Sequence, residues 1–216
     1  MKIDLVSVWD LDETSGTDVF DEHSSNDGVR TASILQNITT VTNITPGYQG
    51  AGSSSERVDI PTFNFLSGDF SVSLWTNASG SSTARGFFNK RQVLSPNVGF
   101  VIIYDSDGFA NLVIDEGATA TNIAGTSSID GGQHHIVATR DGGTITLYVN
   151  NVNENSDTGL TTDLDNSNEL KFFNNRINTA IYDGTLDQVA IWTKALSTEE
   201  ISALYNSGNG LNYTNW

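Results

Sequence analysis

The chain reads as an all-β protein: a two-sheet antiparallel sandwich or closed barrel with one short C-terminal helix. Three observations predict this. Short runs of period-two alternation, parted by clusters of Gly, Asn, Asp and Ser, recur from Leu5 to Trp192. Two tight turns, Asp107-Gly108 and Asp141-Gly142-Gly143, each separate a pair of such runs with residues that tolerate positive φ. Only one stretch, after Ser197, carries helix start and stop signals. A chain of 216 residues is within the range of one such domain, so 1–216 is read as a single unit.

The elements follow in order. From Ile3 the N-terminal run alternates apolar and polar residues and carries Asp4, Asp10, Asp12 and Glu13, unlike the apolar core of a secretory signal. With Met1 native, no leader is expected. In Phe70–Trp75, Phe70, Val72 and Leu74 point one way and Ser71, Ser73 and Trp75 the other, a strand with two unlike faces. Phe100–Tyr104 and Ala110–Ile114 flank the first turn, and the second turn joins another hairpin. A closing strand carries apolar Leu186, Val189 and Ile191. Ser197 is placed to cap the helix, with Glu200 completing a capping box. Ile201, Leu204 and Tyr205 share one helical face, and Gly208 is expected at the left-handed C-terminal cap.

Composition narrows the function classes. Asp and Glu number 26 against 10 Lys and Arg, a formal charge of -16 that repels polyanions, so neither nucleic acid nor an anionic membrane is an expected partner. Cysteine is absent, which removes disulfides, thiolate nucleophiles and thiolate-bound metals. No stretch approaches a membrane-spanning helix in length, and no membrane insertion is expected. Sequons at Asn37, Asn43, Asn77 and Asn212 read as chance matches in a chain this rich in Asn, Ser and Thr.

Several stretches, taken in order, carry a family resemblance. They are Trp9–Thr17 with Asp21 and Asn26-Asp27-Gly28, then Gly50–Gly52 and Val58–Pro61, then Leu66–Trp75, then His134–Asn150, then Tyr182–Gly208. This ordered set resembles the laminin-G-like jelly roll of the concanavalin A-like lectin/glucanase superfamily across residues 5 to 208. Gln133 stands where that family usually has Trp. The resemblance implies a two-sheet jelly roll with non-catalytic recognition as its work.

Catalysis is not expected. Glycosidases of this fold place two carboxylates on one strand, commonly as Glu-x-Asp-x-x-Glu, and that string is absent. Asp10-Leu11-Asp12-Glu13, Asp115-Glu116 and Asp163-Leu164-Asp165 with Glu169 supply no spaced Glu pair. His134 and His135 are adjacent on a strand, point to opposite faces and read as structural.

The resemblance implies calcium bound between an N-terminal loop and the aspartate of the last strand. Mapped here, the metal residues are Asp21, Asn26 or Asp27, Gly52 through its carbonyl, and Asp187. A second reading stands beside it, in which Asp21 and Asn26 merely hold a turn by bonding to backbone. Asp187 is the charge that favours calcium, because an unpaired carboxylate in an apolar strand is costly. The loops Asp105–Gly108 and Asp163–Glu169 look like calcium loops but lack the spacing of an EF-hand; turn chemistry explains the first, and the second stays a candidate.

Sugar recognition wants an aromatic platform. Trp9, Trp75 and Trp192 read as core, whereas Tyr104, Phe109, Phe172, Phe173 and Tyr182, in or near turns, and Trp216 at the end are the candidate platform residues. The expected protein is therefore a recognition or adhesion domain for glycan or a protein surface. It is expected outside the cell or on a virion, as a phage or virus decoration, fibre or receptor-binding unit. The alternatives are a glycoside hydrolase or lyase with a carboxylate pair from separate strands, and a structural homo-oligomer of a virion.

Overall fold

The computed structural model describes residues 1–41, 43–53, 55–78, 84–91, 97–174 and 182–216. The strands are β1 (Leu5–Trp9), β2 (Asp18–Val19), β3 (Gly28–Arg30), β4 (Leu35–Ile38), β5 (Gly47–Ala51), β6 (Val58–Ile60), β7 (Phe70–Ala78) and β8 (Arg85–Arg91). They continue as β9 (Asn97–Tyr104), β10 (Phe109–Gly117), β11 (Ala120–Ser128), β12 (His134–Asp141), β13 (Thr144–Val149), β14 (Val152–Asp157), β15 (Leu170–Phe172) and β16 (Asp183–Trp192). The helix α1 is Thr198–Tyr205.

Two antiparallel sheets pack face to face as a jelly-roll sandwich. The first runs β14-β13-β12-β7-β16-β5-β4, with β1 also paired to β16. The second runs β11-β10-β9-β8-β15-β6-β3-β2. Local chemistry explains the hairpins: Gly108 sits at φ 90, and Gly142 and Gly143 at φ 53 and 92, values that a side chain rarely adopts.

The inward residues of each strand meet between the sheets. Phe70, Val72 and Leu74 of β7 join Ile136 and Ala138, Phe100 and Ile102, and Leu186, Val189 and Ile191 in one buried cluster. Trp9 packs edge-on against Phe172 at 5.3 Å, and Phe70 likewise against Phe100. Each fully buried side chain of this size contributes about 1.5–3 kcal/mol.

The outer face of the first sheet is also dry. Val8, Val137, Ala190 and Trp192 are covered by Leu196, Ile201 and Leu204 of the C-terminal segment, and Trp75 by Val41, Ile44 and Tyr205. The two-faced pattern of β7 therefore buries both faces: Ser71 Oγ donates to Lys194 O at 2.9 Å and accepts from Leu196 N at 2.8 Å.

Ser197 caps α1 and forms the full capping box with Glu200. The C-terminal cap differs from expectation. The helix stops at Tyr205, and Asn206 rather than Gly208 takes the left-handed cap at φ 47. Asn tolerates that region, and here its side-chain amide also bonds Gly210 O at 2.7 Å.

Candidate functional site

One edge of β16 is shared by two partners. Residues 183–186 pair with β5 and residues 189–192 with β1, while the register against β7 shifts between Asp187 and Ala190. Asp187 and Gln188 lie at this handover, with Gln188 at φ 42, so the strand bulges there and re-aims both side chains. Thr40 Oγ1 donates to Asp187 Oδ2. Gly47 lies against the same carboxyl: a Cβ there would meet Leu186 O at 2.8 Å and Asp187 Cγ at 3.1 Å.

Asp187 is 1 % exposed. Three polar atoms of this site, Asp187 Oδ1, Asp10 Oδ1 and Gln188 Nε2, are buried without a hydrogen-bond partner. Burial, then the negative charge of Asp10, holds the Asp187 carboxyl well above the ordinary carboxylate range. Burial and neighbouring Asp12 push Asp10 up to about 6. A buried carboxyl whose charge is disfavoured by a half-buried neighbour is an arrangement suited to holding a proton or a cation.

Of the other residues expected to hold calcium, Asp21 and Asp27 are engaged in hydrogen bonds of their own. Asp21 closes a turn, its carboxylate accepting from Val8 N and His23 N at 3.0 Å, from Ser24 N at 3.1 Å and from Asn26 N at 3.2 Å. Burial raises its pKa, but these bonds and those of the Ser24 and Ser7 hydroxyls outweigh it and leave the group below the ordinary value. Asp27 Oδ1 accepts from Asp21 N at 2.8 Å, and the Asn26 carbonyl accepts from Trp9 Nε1 at 3.0 Å. Gly52 lies beside Asp183 and Arg85, at the far end of the β5 pairing from Asp187. Among the described residues, no three His, Cys, Asp or Glu side chains gather as a metal site. Among the described residues, the buried carboxylate oxygens without a partner belong to Asp187 and to Asp10, a residue whose role sequence reasoning missed because a bulge leaves no periodic signal.

The two other acidic loops are spoken for. Asp105 Oδ1 accepts from Asp107 N and Phe109 N at 2.9 Å, which is turn chemistry. In the Asp163–Glu169 loop, the carbonyls of Asn166 and Asn168 face the Lys90 ammonium, which also donates to Thr62 Oγ1 at 3.0 Å. Lys90 thus occupies the oxygens that a cation would take. Its burial, only partly offset by Asp165, lowers its pKa to about 8.

Most of the expected platform residues turn inward. Tyr104, Phe172, Phe173 and Tyr182 are at most 1 % exposed and offer no ring face to a sugar. They stand near turns in the sequence, yet strand alternation points Tyr104 and Phe172 into the core, and Phe173 and Tyr182, just outside strands, also turn inward; Tyr182 packs edge-on against Phe87 at 4.7 Å and Phe172 against Trp9. Trp216 is half-buried, stacked on Trp192 at 5.4 Å. Phe109 is half-buried, on the outer face of the second sheet because its neighbours Ala110 and Leu112 alternate with it and point inward.

That face carries a polar row. Register places Val29, Asp59, Lys171, Asn89, Val101 and Val113 side by side across six strands. Val29 at the margin is 54 % exposed, whereas Asn89 and Val101 at the centre are 3 and 4 % exposed and therefore buried. Lys171 and Arg57 pair with Asp59, and Arg91 with Asp115. Planar amide, carboxylate and guanidinium groups held by the sheet suit the hydroxyls of a polar ligand.

Comparisons with known proteins agree with the geometry. A family model described as the concanavalin A-like lectin/glucanases superfamily matches residues 52–202. No curated protein sequence matches. The binding domain of Paraclostridial Mosquitocidal Protein 1 is similar in structure, with a TM-score of 0.77 at 18 % identity over 96 % of this chain and 53 % of that one. The receptor binding domain of botulinum neurotoxin C/D mosaic serotype gives 0.75 at 14 % identity over 96 % of this chain and 52 % of the other. Trypanosoma rangeli sialidase in complex with 2,3-difluorosialic acid gives 0.74 at 15 % identity over 97 % and 34 %. The chain therefore spans about half, or a third, of these structures.

Proposed function

The chain belongs to the concanavalin A-like lectin/glucanases superfamily, and on that premise we propose that it is a non-catalytic recognition domain for glycan or a protein surface. The observation that carries this reading is the burial of Asp187. A glycosidase acid must reach the glycosidic oxygen, and the Asp187 carboxyl is sealed beneath Thr40 and Gly47. Binding, by contrast, needs only a shaped polar surface, which the outer face of the second sheet supplies around Asp59, Lys171 and Phe109. Similarity to toxin binding domains supports the same reading. A glycan-array screen followed by product analysis tests it. Retention of intact glycan is expected, and turnover of any bound glycan would replace recognition by catalysis.

A hard cation at the acid pair is part of the proposal. Asp10 and Asp187 would hold it with one free oxygen each, and its charge would relieve the repulsion between the buried Asp187 carboxylate and its half-buried neighbour. Its work is structural, tying the N-terminal loop to the closing strand. Calcium in millimolar excess is expected to raise the melting temperature and EDTA to lower it; equal melting in both would remove the cation.

A further inference from the structure

His135 is the one buried histidine among the three, 1 % exposed. It pairs across the ladder with Trp75, and their rings stack at 4.9 Å. Tyr205, the last helical residue of α1, lies parallel over both, 5.9 Å from Trp75 and 6.2 Å from His135. His135 Nε2 meets Ser73 Oγ at 2.8 Å, while Nδ1 is buried without a partner. The groups facing it are Trp75 and Ser73 from β7, Tyr205 from α1, and Asn150 after β13, whose Oδ1 takes the His135 backbone N–H. The charges on the packed elements are engaged elsewhere: Lys194 pairs with Glu200, and Asp187 on β16 bonds Thr40. Glu199 is exposed on α1.

We propose that His135 is a proton-operated clasp, whose protonation releases the C-terminal segment Lys194–Trp216 from the first sheet and uncovers the apolar strip beneath it. A second ring proton would sit on Nδ1, buried between aromatic faces with no acceptor. The segment contributes no strand to either sheet, so it can leave without breaking a ladder. Its departure uncovers Val8, Val137, Trp75 and Trp192.

The sign follows from linkage. Burial lowers the His135 pKa to about 3, against an ordinary 6.5 once the clasp opens. The open form then binds the extra proton, so closure is fully stable above about pH 6.5 and weakens as pH falls toward 3. Asp10 and Asp187 act the other way, since acid relieves their mutual repulsion, and they cannot produce the same opening.

The full chain, titrated from about pH 8 to pH 3.5 across this linkage window, tests the proposal by tryptophan fluorescence, limited proteolysis of the C-terminal segment and far-UV dichroism. The segment is expected to become cleavable while the strand signal persists. His135→Phe is expected to lower the midpoint by about one pH unit or more, and Tyr205→Ala to raise it, as the weight of the ring contact predicts. An unchanged midpoint in His135→Phe, or loss of the segment and the strands in one transition, would overturn the clasp. If His135→Phe does not fold, an NMR titration of the wild-type imidazole decides: protonation concurrent with release supports the clasp, and protonation without release overturns it.

Discussion

Single residues carry the chemistry of this molecule through what they lack. Asp10 and Asp187 each keep a buried oxygen without a partner, which makes their charge a cost unless a cation offsets it. Because burial raises the Asp10 pKa to about 6, the folded state holds its proton more tightly than the unfolded chain does. The penalty is therefore complete above pH 6 and fades as pH falls toward 4. Asp10→Asn in EDTA is expected to stabilise the protein at pH 7 by about 1 to 2 kcal/mol and to be neutral near pH 4. In calcium the same change is expected to destabilise it, and urea unfolding in the two buffers checks both signs. Gly47→Ala, whose Cβ would press on Leu186 O and Asp187, is expected to cost about 1–3 kcal/mol, seen as a lower urea midpoint. Asp187 was legible in the sequence as the charge within an apolar strand. Asp10 was not, because its proximity arises where β5 hands the edge of β16 to β1, a long-range event. Tyr104, Phe172 and Tyr182 were misplaced because closeness to a turn does not tell which way a side chain points.

Elements were legible where their determinants are local. Both glycine turns, the two-faced β7 and the capping box of α1 form as their residues dictate. Ser197→Ala should cost about 1 kcal/mol, which lowers the melting temperature of a domain this size by about 2–4 °C; a larger loss would mean that the cap also anchors Lys194. The cap of α1 comes two residues early because Asn206 takes the left-handed position, bonded to Gly210, before Gly208 is reached. The Asp163–Glu169 loop reads like a calcium loop because it is rich in oxygens. Its true occupant, the Lys90 ammonium, comes from β8 and is invisible to spacing. The buried outer face of the first sheet has the same origin, since only the docking of α1 explains why Ser71 and Ser73 are dry.

At the scale of the whole molecule, the two sheets have different fates. The first is sandwiched between the core and its helical cover, while the second keeps a polar outer row of Asp59, Lys171 and Asn89. Alternation and turn spacing foretell a sandwich or barrel, but the order of strands depends on pairing over long separations, and the ordered family resemblance made it legible. The net charge of -16 disfavours polyanionic partners without choosing a ligand. Recognition through the second sheet is tested by a binding isotherm for an array-identified ligand with wild type, Lys171→Ala, Phe109→Ala and Ser197→Ala. Loss of about tenfold or more in affinity is expected for the first two variants, roughly 1.4 kcal/mol, with Ser197→Ala equal to wild type. Equal affinity in all four proteins would contradict recognition through the second sheet.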